Sequence, residues 1–190
     1  MLKPFFHPHI PEAGVDESGR GCLAGPVFAA AVILPEGFRE RSLKDSKNCN
    51  LVQREKLRII IEREAVCFGI GVATNQEIDA VNILQASFLA MHRALEKLDP
   101  APLHLLVDGN RFKPFRELPY TCVIQGDNYY SSIAAASILA KTYRDEYMEK
   151  LHDEHPGYGW LKNKGYGTRE HRLAIQSLGL TPHHRRSFRF

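Results

Sequence analysis

The stretch PVFAAAVIL, Pro26–Leu34, is apolar without a break, and it follows almost at once on GVDESGRG, Gly14–Gly21. An apolar run bounded by glycine and proline reads as a core strand. Asp16 and Glu17 therefore stand where a sheet's interior is about to form. Buried carboxylates are costly unless something cationic meets them. Whatever fold this chain adopts has to bring a cation to that point.

The rest of the chain supplies strands and helices in a definite order. AGVD is predicted to be a strand, joined to the apolar run by a turn at Gly25–Pro26. From Asn50 to Glu64, Leu57, Ile60 and Ile61 recur at helical spacing, with Asn50 as the N-cap. In AVCFGIGVA, Val66, Phe68, Ile70 and Val72 share one face, and Cys67, Gly69, Gly71 and Ala73 the other. That pattern predicts a strand packed closely on its small-residue side. TNQE, Thr74–Glu77, has capping-box spacing and opens a helical region whose stripe of Leu84, Phe88, Met91, Leu95 and Leu98 ends before Pro100.

LHLLVDGN and YTCVIQGDN are expected as two short strands, each ending in an acid beside a glycine. A helix is expected between Tyr129 and Leu151, with Ile133, Ala136, Ala140, Tyr143 and Tyr147 on one face. This order implies an α/β fold with a mixed sheet flanked by helices. Residues 1–152 read as the main domain. Residues 153–190 read as a small helical and loop-rich cap, with one short helix before Gly179, packed on it as a single unit. Trp160, the only tryptophan, is expected to anchor that cap.

In open α/β sheets the active site gathers at the carboxyl ends of strands. Asp16, Glu17, Asp108 and Asp127 all take that place in this reading. If their strands are neighbours, four carboxylates converge, and they cannot stay ionised together without a counter-charge. Oxygen-only ligands favour Mg²⁺ or Mn²⁺ over zinc. Two such ions are the usual apparatus for in-line attack on a phosphodiester. The net charge of +3 permits a nucleic-acid partner, and HHRRSFRF and LKNKGYGTREHR set basic residues among aromatics near the C-terminus.

Other function classes recede. Four scattered cysteines with no CxxC pair read as reduced thiols rather than a zinc site or disulfide scaffold. His7, His9, His183 and His184 offer no closed set of metal ligands. No segment approaches the roughly 18 apolar residues of a membrane span, and the N-terminus has no apolar signal core. A cytoplasmic protein without membrane contact is expected, and a monomer, since no long exposed apolar stripe is evident.

GVDESGRG, LKDSK, LLVDGN, QGDNYYSSIAAASILAKTYRDEYM, HPGYGWLKNKGYGTREH and TPHHRRSF together resemble the motifs of ribonuclease HII, the type 2 ribonuclease H family. The resemblance runs from about Ala13 to Phe188. It implies a ribonuclease H-like fold and a metal-dependent endonuclease. Such an enzyme cuts RNA in RNA·DNA hybrids and 5′ to single ribonucleotides in duplex DNA, leaving 5′-phosphate and 3′-hydroxyl ends.

By position the resemblance makes Asp16, Glu17, Asp108 and Asp127 the acids that bind two Mg²⁺ or Mn²⁺ ions. Gly19, Arg20 and Gly21 become the element that senses the ribose 2′-hydroxyl, and Tyr166 stacks beneath the neighbouring sugar. Lys44 and Lys47 become phosphate contacts, with Ser137 and His171 as further substrate residues. Asp145 is the alternative fourth acid. Beside Arg144 on a helix it reads as an exposed ion pair, and Asp127 is preferred because it ends a strand. The C-terminal RRSFRF reads as packing on the domain or touching DNA, with a sliding clamp as the alternative partner.

Overall fold

The computed structural model describes residues 2–40, 42–43 and 49–190. Strands β1 (Glu12–Ser18), β2 (Val27–Ile33), β3 (Cys67–Ala73), β4 (His104–Asp108) and β5 (Tyr120–Val123) form one sheet in the order β3-β2-β1-β4-β5. The β1–β2 and β2–β3 pairs are antiparallel, and β1–β4 and β4–β5 are parallel. Around the sheet lie α1 (Leu51–Glu64), α2 (Asn75–Val81), α3 (Ile83–Leu95), α4 (Ser131–Glu154), α5 (Trp160–Asn163) and α6 (Arg169–Leu178). The mixed sheet flanked by helices is as expected.

All seven residues of β2 are buried, which explains its lack of alternation. Ala29, Ala31 and Ile33 pack with Ala86, Phe88, Ala90, Met91 and Ala94 of α3. Ala30 and Val32 face the other way, toward Leu57 and Ile61 of α1 and Ala134, Ala135, Ile138 and Leu139 of α4. The result is a three-layer sandwich with β1 and β2 at its centre. The small-residue side of β3 behaves as its pattern predicts. A Cβ on Gly69 would collide with the Ala94 carbonyl and one on Gly71 with that of Ala90, so glycine is what lets α3 lie this close.

Local signals place most helix starts. Asn50 caps α1 and Thr74 caps α2, each in a full capping box, with Gln53 and Glu77 reaching back. The helical region opened by Thr74 consists of two helices. Asn82 takes φ +68° and separates α2 from α3, and its side chain accepts from the N–H groups of Leu84 and Gln85. One residue thus ends a helix and caps the next.

The long helix α4 departs from expectation. Ile133, Ala136 and Ala140 are buried as expected, but Tyr147 is exposed, and Ser132, Ala134, Ala135, Ile138, Leu139, Arg144 and Asp145 are buried as well. The helix runs between the sheet, α1 and the C-terminal region, so a single apolar stripe does not describe it.

After α4 the chain makes a 3-10 turn at Pro156–Tyr158 and then two short helices, not the one expected. Leu23 and Ala24 from the β1–β2 connection pack with Met148, Leu151, Tyr158, Trp160 and Ile175. Trp160 is completely buried there, and its Nε1 donates to His171 Nε2 at 3.0 Å. Among the described residues no helix is long and apolar enough to cross a membrane.

Candidate active site

The parallel register of β1 and β4 pairs Val15 with Val107. Asp16 and Asp108 are the next residues on each strand, side by side at the carboxyl end of the sheet, roughly 4.8 Å apart along the hydrogen-bonding direction. Glu17 follows Asp16 directly. Asp16 is buried, and its Oδ1 accepts the Glu17 N–H at 2.7 Å. Burial, then the charges of Glu17 and Asp108, push its carboxyl well above the usual range, while a hydrogen bond from Ser137 on α4 opposes them. Glu17 is raised too, chiefly by burial. The Arg20 guanidinium, 3.0 Å from Glu17 Oε1, pulls it down, and Asp108 adds to the rise. The charge of Asp108 therefore raises both Asp16 and Glu17, and that of Glu17 raises Asp16 as well.

Asp108 Oδ1 accepts the Gly126 N–H at 2.7 Å. Gly126 opens the 3-10 turn Gly126–Asn128, which carries the buried Asp127. Asp127 does not end a strand, contrary to expectation. β5 stops at Val123, and Gln125 at φ +56° turns the chain into the 3-10 segment. The hydrogen bond to Asp108 ties that segment to the end of β4.

Asp145 corrects a second expectation. It is 5% exposed, not a surface residue, and lies 2.6 Å from Lys141 Nζ and 3.6 Å from Arg54 Nη1. Its charge is already met within the chain, so it makes no demand for an ion from outside.

The turn after β1 is the second half of the site. Gly19 has φ +98°, and a Cβ there would run into the Arg144 guanidinium. Gly19 is buried, whereas Arg20 and Gly21 are exposed. Cys22 forms an isolated antiparallel bridge with Tyr166, bringing the GRG turn and the GYGT segment together. Tyr166 is 41% exposed, and the cations of Lys141 and Arg144 each lie 5.9 Å from its ring centre.

His171, expected at the substrate, is fully buried. Its Nδ1 lies 2.9 Å from the Tyr166 carbonyl, and its Nε2 faces Trp160 and His184. Lys44 and Lys47 fall outside the described residues. Glu154, His155 and His183 bring ligand atoms within 4.8 Å of one another, a mixed nitrogen and oxygen set that shares no residue with the four acids.

Sequence reasoning missed two side chains. Arg144 and Arg185 are both completely buried. They donate to main-chain carbonyls of the Gly19–Pro26 connection. In sequence Arg144 read as half of an exposed ion pair, and Arg185 as part of a segment that packs on the domain or touches DNA.

The family model described as Ribonuclease HII matches residues 13–190. The chain belongs to the ribonuclease HII family. A ribonuclease HII of Parabacteroides distasonis is 58% identical over 188 residues, covering 99% of this chain and 94% of the relative. Among solved structures, ribonuclease HII from the PCNA complex of Archaeoglobus fulgidus superposes with a TM-score of 0.81 at 25% identity, covering 95% of this chain and 96% of its own. Ribonuclease H2 of Pyrococcus horikoshii gives 0.76 at 27% identity, with 94% of each chain covered. Membership of ribonuclease HII makes the chain an endoribonuclease that cleaves RNA in RNA·DNA hybrids.

Proposed function

We propose that this ribonuclease HII also cuts 5′ to single ribonucleotides embedded in duplex DNA, with Asp16, Glu17, Asp108 and Asp127 holding two divalent ions, Mg²⁺ or Mn²⁺. The convergence of Asp16, Glu17 and Asp108 carries the reading. Two of these carboxyls are driven toward their protonated forms by burial and by one another. Hard cations relieve that strain better than protons do, and the oxygen-only donor set suits them. When bound, such ions supply Lewis acidity for the departing 3′ oxygen and lower the pKa of the attacking water.

The chain's own residues do the positioning. Ser137 holds Asp16 by a hydrogen bond, and the Gly126 N–H fixes one oxygen of Asp108. Rigid strands locate both acids more closely than loops would. Gly19, Arg20 and Gly21 read the 2′-hydroxyl, the group that separates a ribonucleotide from a deoxyribonucleotide. Tyr166, half-exposed beside that turn, stacks on the sugar next to the scissile bond. Lys44 and Lys47 contact phosphates. Water attacks with the 3′ oxygen leaving, so the products carry 5′-phosphate and 3′-hydroxyl ends. The enzyme acts as a cytoplasmic monomer in ribonucleotide excision and primer removal.

The test uses two end-labelled duplexes, one all DNA and one with a single ribonucleotide, in Mg²⁺ or Mn²⁺. Cleavage only on the 5′ side of the ribonucleotide, lost in Asp108→Asn and in EDTA, is the expected result. Equal cutting of both duplexes would remove the role given to Gly19–Gly21. Full activity in EDTA would remove the metal site.

A further inference from the structure

The GRG turn is built around a buried cation. Arg185 is 0% exposed, and its guanidinium donates to four carbonyls of one connection. Nη2 reaches Gly19 at 2.6 Å and Pro26 at 3.3 Å, Nη1 reaches Arg20 at 2.8 Å, and Nε reaches Gly25 at 2.9 Å. Arg144 lies alongside and donates to Ala24, Pro26 and Lys164. Among the described residues neither guanidinium forms an ion pair with a carboxylate. Main-chain carbonyls satisfy both.

This arrangement fixes more than the shape of the turn. In a planar trans peptide the carbonyl of one residue and the N–H of the next point in opposite directions. The Gly19 and Arg20 carbonyls are drawn inward onto Arg185. The N–H groups of Arg20 and Gly21 are therefore turned outward. Arg20 and Gly21 are both exposed, and a Cβ on Gly21 would meet nothing within 4 Å, so the turn is open on its outer side. Successive outward N–H groups form a concavity suited to an oxygen ligand.

We propose that Arg185 is a positioning residue for ribonucleotide recognition, aiming the Arg20 and Gly21 N–H groups at the substrate. The proposal rests on the reading of Gly19–Gly21 as the 2′-hydroxyl sensor and names the residue that sets its geometry. Lysine cannot replace it, because one ammonium lacks the planar fork that reaches several acceptors at once.

The C-terminal segment delivers this side chain and is itself held firmly. The Arg185 N–H bonds the Leu23 carbonyl at 2.9 Å, and the Gly25 N–H bonds the His183 carbonyl at 2.9 Å. Asp79 on α2 accepts from the N–H groups of Arg186 and Ser187 and from the Ser187 hydroxyl. The RRSF segment is thus a latch between α2 and the sensing turn.

The experiment measures equilibrium binding of two duplexes, one with a single ribonucleotide and one all DNA, with Ca²⁺ replacing the catalytic ion to prevent turnover. Wild type, Arg185→Lys and Arg185→Ala are compared, with circular dichroism to check the fold. The expected result is that both variants bind the all-DNA duplex as wild type does but lose about tenfold in preference for the ribonucleotide, the effect of misaimed hydrogen bonds. Millimolar guanidinium should restore the preference of Arg185→Ala and leave Arg185→Lys unchanged.

A preference kept in both variants, or an equal loss on both duplexes, would overturn the proposal. Absence of any preference in wild type would instead overturn the sensor reading, and the latch with it. Should both Arg185 variants unfold, Asp79→Ala decides, because it frees the same segment from its exposed side. A reduced preference there supports the latch, and an unchanged one overturns it.

Discussion

On one side of Ser18 lie Asp16 and Glu17, whose carboxyls burial and the neighbouring charge of Asp108 push above their usual range. On the other side lies the Gly19–Pro26 connection, wrapped around the guanidiniums of Arg144 and Arg185. Both regions bury charge, and they settle its cost differently. The arginines are satisfied by carbonyls of the fold itself, so nothing has to arrive and the geometry is permanent. The acids are met by a serine, main-chain N–H groups and one arginine, and in the proposed function a cation from outside joins them. The proposed function would place chemistry where charge is exchangeable, and recognition where it is fixed.

The sharpest way to break that contrast is to neutralise one acid. Asp16→Asn should lower kcat/KM on an RNA·DNA hybrid by roughly 10³-fold or more in saturating Mg²⁺, about 4 kcal/mol of barrier. The same change should raise the melting temperature in metal-free buffer, because it removes a buried like charge. A variant both inactive and less stable would mean that the acids are not strained as described.

Gly19→Ala tests the other half. Its Cβ meets the Arg144 guanidinium at a backbone angle that disfavours a side chain, and the change should cost roughly 4 kcal/mol in urea unfolding. An unchanged midpoint would show that the turn is looser than its hydrogen bonds indicate.

The cap offers a pH test. Burial, aided by the neighbouring His171, pushes His184 down to about 4. Between about 6.5 and 4 the unfolded chain takes a proton at this residue that the folded chain refuses, so stability falls as pH falls through that window. The His184 share of that loss should reach about 3 kcal/mol at the acid end, and His184→Gln should lose less stability than wild type over the same window. Melting temperatures of the two proteins from pH 7 to 4 would check it.

The smallest effect belongs to Trp160→Phe. Losing its N–H bond to His171 should cost about 1 kcal/mol and leave hybrid cleavage near wild type. A large loss of activity would mean that the cap couples to the acids more tightly than its packing suggests.

Much of this protein was legible before any coordinates, and for local reasons. Capping boxes lie within four residues, Thr74 to Glu77 among them, so their partners can be read off together. The unbroken apolar run of β2 and the paired glycines of β3 report directly on what packs beside them. Acids next to such a strand stand out because carboxylates are rarely buried without a purpose, and the run of motifs around them named the family.

What the local pattern could not show was where the long-range partners lie. Asp127 was placed on a strand because the turn that carries it depends on a hydrogen bond from Gly126 to Asp108, 18 residues away. Asp145 looked like an exposed ion pair because Arg144 stands beside it in sequence, whereas its partners in the fold are Lys141, four residues back, and Arg54, far off. Arg185 is the extreme case, since its partners are carbonyl oxygens about 160 residues away. Every residue carries a carbonyl, so the side-chain sequence holds no mark of which ones a guanidinium will find. Only the tertiary fold, by bringing the C-terminal segment against the turn after β1, decided that a basic tail would become the support of that turn.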